Sequence, residues 1–216
     1  MLQTLVQFPI GFVIALSGAL VPGPLLAYVV AKSAASGKEV GSRAVVGHVI
    51  IEIFLLSLLL FGLGVVLQSV EFQMAIGIFG GASLLPLGVL TLRGATRAKY
   101  TISTAITGYP PIIGGIIYST ILNPTVIIWW ATIGFATIMD AYVTTLLPGV
   151  ALWLAGHWLA DFWWFSFISI SVVKGKKIIG SRGYKILLLC CGLLLLLVGA
   201  SLLGKYGGRF FRQGSP

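Results

Sequence analysis

The stretch from Ala19 to Phe54, ALVPGPLLAYVVAKSAASGKEVGSRAVVGHVIIEIF, decides how the rest of the chain is read. Apolar sequence is interrupted in it twice, first by Pro22-Gly23-Pro24 and then by His48 and Glu52. Both interruptions are unfavourable in hydrocarbon, because freed backbone groups and ionisable side chains lose the water that would satisfy them. Two prolines remove two backbone donors, and the glycine between them permits a sharp departure from helix. One helix is therefore expected to end here and a second to restart with Pro24 in its first turn; a simple proline kink is the plainer alternative. His48 and Glu52 stand four residues apart, which puts both side chains on one helix face, able to exchange a proton or grip one ligand together. A charged Glu at the centre of a span costs about 3 kcal/mol, so a neutral Glu satisfied by a neighbouring helix is the plainer alternative to a transport site.

The same character extends over the whole chain. Of 216 residues, 58% are hydrophobic and 9% charged, and the mean hydropathy is +1.05. Soluble domains carry about a quarter charged residues, so this is the composition of an integral membrane protein. Runs long enough to cross a bilayer as helix, about 20 residues, fall at roughly 5–31, 44–67, 72–92, 112–138, 147–173 and 186–203. Six spans leave almost nothing for a soluble domain.

A net charge of +9 could suggest nucleic acid, but its distribution reads as topology and gives no nucleic-acid partner. Lys32, Lys38 and Arg43 lie in the first loop, Arg93, Arg97 and Lys99 in the third, and Lys174, Lys176, Lys177, Arg182 and Lys185 in the fifth. The second and fourth loops hold only Glu71 and Asp140. By the positive-inside rule the odd loops face the cytoplasm and both termini face out. Lys205, Arg209 and Arg212 in the tail oppose this orientation, and the eleven loop residues outvote them. Met1 to Pro9 lacks a basic n-region and the apolar run beyond it exceeds a signal h-region, so the first segment is expected to stay as a span. Cys190 and Cys191 are neighbours in the last run, where ring strain disfavours a disulfide between them; they read as lipid-facing or packing residues.

Gly77 and Gly81 have the small-xxx-small spacing that lets helix backbones approach, and are read as packing. In the fourth run, Asn123-Pro124 pairs a preferred N-cap with a preferred first helical residue, so a second helix break is expected inside the membrane, with a kink as the alternative. Trp129 and Trp130 come next and read as packing or interface anchors. In the fifth run Gly156-His157 is followed four residues on by Asp161, the same Gly-His-x-x-x-acid arrangement as Gly47-His48 and Glu52. Both histidines of the chain sit in this pattern.

Each half thus shows a span broken by proline, a loop, and then a span bearing Gly-His-x-x-x-carboxylate. Three spans per half is an odd number, so the second half must enter the membrane upside down relative to the first, as in many secondary transporters. The expected fold is an all-α membrane protein of six transmembrane helices in two inverted three-helix repeats. Residues 1–92 form the first repeat, 93–111 a cytoplasmic connection, 112–204 the second repeat and 205–216 a basic tail.

Pro22-Gly23-Pro24, with Gly37, Gly41 and Gly47-His48 after it and Asn123-Pro124 later, resembles the lysine exporter (LysE/RhtB-type) family of six-span amino-acid exporters. The resemblance covers nearly the whole chain. It implies a plasma-membrane carrier that extrudes amino acids, driven by the proton gradient. Family members often carry Lys after the Asn-Pro, where this chain has Thr125.

On this reading the half-helices starting at Pro22-Gly23-Pro24 and Asn123-Pro124 hold a substrate carboxylate with free backbone N–H groups. Glu52 and Asp161 bind its ammonium or a proton, each excluding the other, and His48 and His157 relay that proton. The alternative is a divalent metal-ion carrier using His48, Glu52, His157 and Asp161 as ligands. An enzyme is not expected, since His-x-x-x-Glu lacks the His-Glu-x-x-His order of a zinc protease, and no cofactor is implied. The partners are protons, a small solute and the lipid bilayer, and two copies could pair as a homodimer.

Overall fold

The computed structural model of the chain describes residues 2–21, 23–63, 66, 69–96, 108–120 and 122–208. Pro22, most of the 93–111 connection and most of the 205–216 tail lie outside them. Helix is the regular structure throughout the described residues. In chain order α1 is Leu2–Ala19, α2 Pro24–Ser36, α3 Val40–Leu58, α4 Val70–Thr96, α5 Pro111–Tyr118, α6 Pro124–Trp129 and α7 Phe135–Leu202, with π-helical turns at Leu59–Leu63, Trp130–Gly134 and Leu203–Gly207.

Five of these stretches are long and apolar enough to cross a membrane: Leu2–Ala19, Val40–Phe61, Val70–Arg93, Pro124–Gly175 and Leu189–Gly207. The hydropathy runs anticipated six. The difference arises at two places. The run at 112–138 is cut after Tyr118, which leaves α5 with 8 residues. Its remainder, from Pro124 onward, is joined to the next run in one stretch of 52 residues.

That long stretch does not run straight. At the helical rise its 52 residues would extend about 78 Å, more than twice the hydrocarbon thickness. Trp130 and Trp153 would stand about 35 Å apart on a straight helix, yet their ring centroids are 6.2 Å apart. The reversal lies at Leu146, the only described non-glycine residue with positive φ, at 57°. Left-handed backbone turns the chain there, and Pro148 two residues on can restart a helix because it needs no N–H partner. No polar loop separates the two segments, and helix resumes directly after the corner.

The segment after this corner is the axis of the bundle. α1 lies along its first half: a Cβ placed on Gly149 would lie 3.3 Å from the Gln7 side chain, and one placed on Gly11 would strike the carbonyl oxygen of Trp153. α2 lies along its second half, where Ser33 and Ser169 hydroxyls meet at 2.7 Å in a buried contact. α3 crosses in the opposite sense, with Gly41 against the Phe165 carbonyl and His48 and Glu52 farther along near His157 and Asp161. α4 runs antiparallel to the last part of α7, where Gly81 and Gly88 let its backbone approach Gly199 and Gly192. Gly77 faces the Tyr206 ring in the same contact.

Among the described residues two larger apolar cores and a smaller one at Ala27, Leu84 and Leu195 fill the bundle. One of the larger gathers Leu25, Tyr28, Val29, Ala44, Val45, Tyr118 and Phe165. The other gathers Leu55, Leu56, Ile127, Trp130, Ile138 and Trp153. The ionisable side chains sit where these two meet.

Candidate functional site

Both helix breaks are present. α2 restarts with Pro24 in its first turn and Gly23 in extended backbone before it; α6 restarts at Pro124 with Asn123 before it. Asn123 occupies the cap position, but its side chain makes no capping bond. Its Oδ1 instead accepts from the Thr125 hydroxyl at 2.6 Å, so Thr125 anchors the amide. The two breaks face each other. A Cβ on Gly23 would lie 3.4 Å from Asn123 Oδ1, and the absence of one lets the amide approach the first break.

Beside the breaks, His48 and Glu52 from α3 meet His157 and Asp161 from α7, all buried. Glu52 Oε1 is the hub: Trp130 Nε1 donates to it at 3.0 Å, His157 Nε2 lies 3.1 Å away and His48 Nε2 3.2 Å away. Asp161 Oδ2 lies 3.4 Å from His157 Nε2 and 4.0 Å from His48 Nε2. Behind the imidazole of His48, Nδ1 is 2.9 Å from the Ser119 hydroxyl. Glu52 Oε2, His157 Nδ1 and Asp161 Oδ2 are buried without a hydrogen-bond partner in the protein. Unpaired polar atoms in a low-dielectric interior are costly, so a group that pairs with them gains much from entering.

A cavity of about 60 Å³ opens against this set. Its walls include His48, Glu52, His157 and Asp161, with Gly23 and Asn123 from the breaks and Trp129 and Trp130 opposite. A water occupies about 30 Å³ of the liquid, so the space suits a small polar solute or a few waters. Pro24 and Pro124 are fully buried but not among the lining residues, and a Cβ on Gly80 would strike Pro124. The prolines shape the breaks, and their neighbours face the cavity.

Could the set hold a metal? His48, Glu52 and Asp161 each offer a ligand atom within 4.8 Å of one another, and His157 is not part of that group. The oxygen nearest all the nitrogens, Glu52 Oε1, is already engaged by an indole N–H. At these distances the imidazole nitrogens and carboxyl oxygens can also share or exchange protons.

The family model of the LysE type translocator matches residues 16–205. The chain belongs to the LysE type translocator family. Among curated proteins and among solved structures nothing matches. As a LysE type translocator the chain is a multi-pass membrane transporter for amino acids or similar small molecules, from a family of transporters. Family membership gives no support to metal carriage.

Two members of the candidate site escaped the sequence. Trp130 reads there as packing, and it does pack, with its ring centroid 5.2 Å from that of Trp129, yet its N–H also binds Glu52. Ser119 carries no signal at all in a run of apolar and small residues. What could have pointed to it is position: it lies just after α5, immediately before the helix break, where a polar side chain is free to turn inward.

Proposed function

We propose that the protein is a proton-coupled secondary transporter that exports amino acids or similar small metabolites across the plasma membrane. Six passes form two inverted three-span halves, and rocking of the halves about the buried site gives alternating access. The observation that carries this reading is the meeting of His48, Glu52, His157 and Asp161 with both helix breaks around one cavity. Hydrocarbon would reject these groups individually. Free N–H groups at the start of α2 suit a carboxylate, and the acidic oxygens suit an ammonium or a proton in its absence. Competition between proton and solute for those oxygens is what antiport requires.

Support for the inverted halves comes from paired contacts. Gly11 presses on the Trp153 carbonyl and Gly115 on the Ala44 carbonyl; Gly47 presses on the Ile112 carbonyl and Gly156 on the Phe8 carbonyl. Gly11 and Gly115 stand 104 positions apart, as do Phe8 and Ile112, while Ala44 and Trp153 stand 109 apart, as do Gly47 and Gly156. The crossing of α1 on α7 therefore has a counterpart in the crossing of α5 on α3, with the two halves exchanged. The fold-back at Leu146 divides the 52-residue stretch into two passes, which brings the five membrane-length stretches to six. The basic first, third and fifth loops then face the cytoplasm and the termini face out.

The test is transport by purified protein in liposomes loaded with a panel of amino acids, with a pH gradient imposed across the membrane. Efflux of at least one amino acid should accelerate when the outside is acidified, with protons moving inward as solute leaves. Solute movement indifferent to the gradient would remove proton coupling. Gradient-driven movement of divalent cations in place of amino acids would transfer the site to the cation reading.

A further inference from the structure

The two Gly-His-x-x-x-acid segments match in sequence, but what lies behind each imidazole differs. His48 turns Nε2 toward Glu52 Oε1 and Asp161 Oδ2, and its Nδ1 lies 2.9 Å from the hydroxyl of fully buried Ser119. His157 turns Nε2 toward the same two oxygens, but its Nδ1 is buried with no protein partner. The rings of Trp129, Trp130 and Trp153 surround it, with centroids 5.2, 5.0 and 5.2 Å away. Trp153 stacks on it at 18°, which directs the imidazole N–H bonds along the indole plane and not into its face.

Which nitrogen of a neutral imidazole carries the hydrogen is set by the bond the other one makes. A hydroxyl both donates and accepts, so Ser119 satisfies His48 Nδ1 bare or protonated. With the hydrogen on Nδ1 and donated to Ser119, Nε2 is left free to take up a proton where it faces Glu52. Indoles offer only donors, so no acceptor awaits a hydrogen on His157 Nδ1. Attraction of a cation to the ring faces does not replace that acceptor. His157 is therefore held with its hydrogen on Nε2, between the two carboxyl groups.

We propose that the two histidines have different roles: His48 takes up and releases the carried proton, with Ser119 as its positioning residue, while His157 stays a neutral, fixed donor bridging Glu52 and Asp161. The step moves one proton between the Glu52 carboxyl and His48 Nε2, leaving carboxylate and imidazolium; no other bond changes. The titratable groups facing His48 are Glu52 on its own helix and Asp161 and His157 from α7; Ser119, after α5, and Phe165, whose ring centroid is 6.3 Å away, add no charge. The word "carried" rests on the proton-coupled reading above; the assignment of hydrogens does not.

Because the chain contains 2 histidines, nitrogen-15 histidine labelling of the full protein in lipid nanodiscs gives two sets of imidazole signals, assigned with His157→Gln. Titration between about pH 5 and 8 should move His48 from the Nδ1–H form to the doubly protonated form, while His157 remains Nε2–H throughout. In Ser119→Ala the doubly protonated fraction of His48 at fixed pH should fall about tenfold, as expected when a buried N–H loses its acceptor, and Ser119→Thr should restore it. Gradient-driven efflux should change in the same order. Titration of His157 in this range, or His48 signals unchanged in Ser119→Ala, would overturn the assignment. If wild-type protein shows the assigned forms but no pH-dependent flux, the proton on His48 is not a carried one and the coupling reading falls separately.

Discussion

Glu52→Gln separates transport from stability because two contributions of similar size oppose each other. The substitution keeps the shape of the side chain and its Oε1 acceptor but removes the charge. Three nitrogens converge on that oxygen, from Trp130, His157 and His48, and all three donate to the carboxylate when His48 is doubly protonated. Hydrogen bonds to a charged acceptor exceed those to a neutral one by about 1 kcal/mol each, so about 3 kcal/mol of attraction is lost. Against this, an ionised carboxylate at the centre of a span costs about 3 kcal/mol that a neutral amide avoids. The net change in folding stability should lie within about 1 kcal/mol, a few degrees in the unfolding midpoint. Transport driven by a pH gradient should nevertheless disappear, because the amide cannot take up a proton. Thermal unfolding in detergent and efflux from liposomes, measured on one preparation, read the two effects apart. Undiminished gradient-driven efflux would remove Glu52 from the mechanism. A collapse of the midpoint by tens of degrees would show instead that the carboxylate is a structural group.

Three further outcomes are expected from the geometry. Trp130→Phe deletes the indole donor to Glu52 and part of the ring packed beside Trp153 and His157; stability should fall by about 2–4 kcal/mol, from a lost charge-assisted bond and a small cavity, and gradient-driven efflux should weaken, both read in the same two assays. Gly47→Ala and Gly156→Ala each force a methyl onto a backbone carbonyl that cannot rotate away, so each should destabilise by about 1–3 kcal/mol, and by similar amounts if the crossings are equivalent; a neutral result in one and not the other would contradict the paired contacts. Leu146→Gly relieves a left-handed residue and should raise stability by up to about 1 kcal/mol, visible as a higher unfolding midpoint with flux retained.

Much of this site was legible as pattern. The His48–Glu52 and His157–Asp161 spacings name four groups that hydrocarbon disfavours, and helical periodicity alone puts each pair on one face. The prolines at 24 and 124 mark restarts because proline lacks the N–H that a helix interior needs. Ser119 and the indole N–H of Trp130 were not legible, since neither can be read from local spacing: each is defined by a partner 71 or 78 positions away. The corner at Leu146 was hidden for a different reason. Its left-handed backbone is normally a glycine's place, and leucine there gives no local warning.

Composition by itself settled the membrane class, the approximate placing of the apolar runs and the identity of the ionisable groups, because those depend on transfer from water and on helical period, both local properties. Only the folded chain could decide that the groups converge on one oxygen, that Asn123 commits its side chain to Thr125 and not to a cap, and that the two histidines face unlike surroundings. Contacts between distant segments are chosen by packing of whole helices, and no short window of residues contains that information.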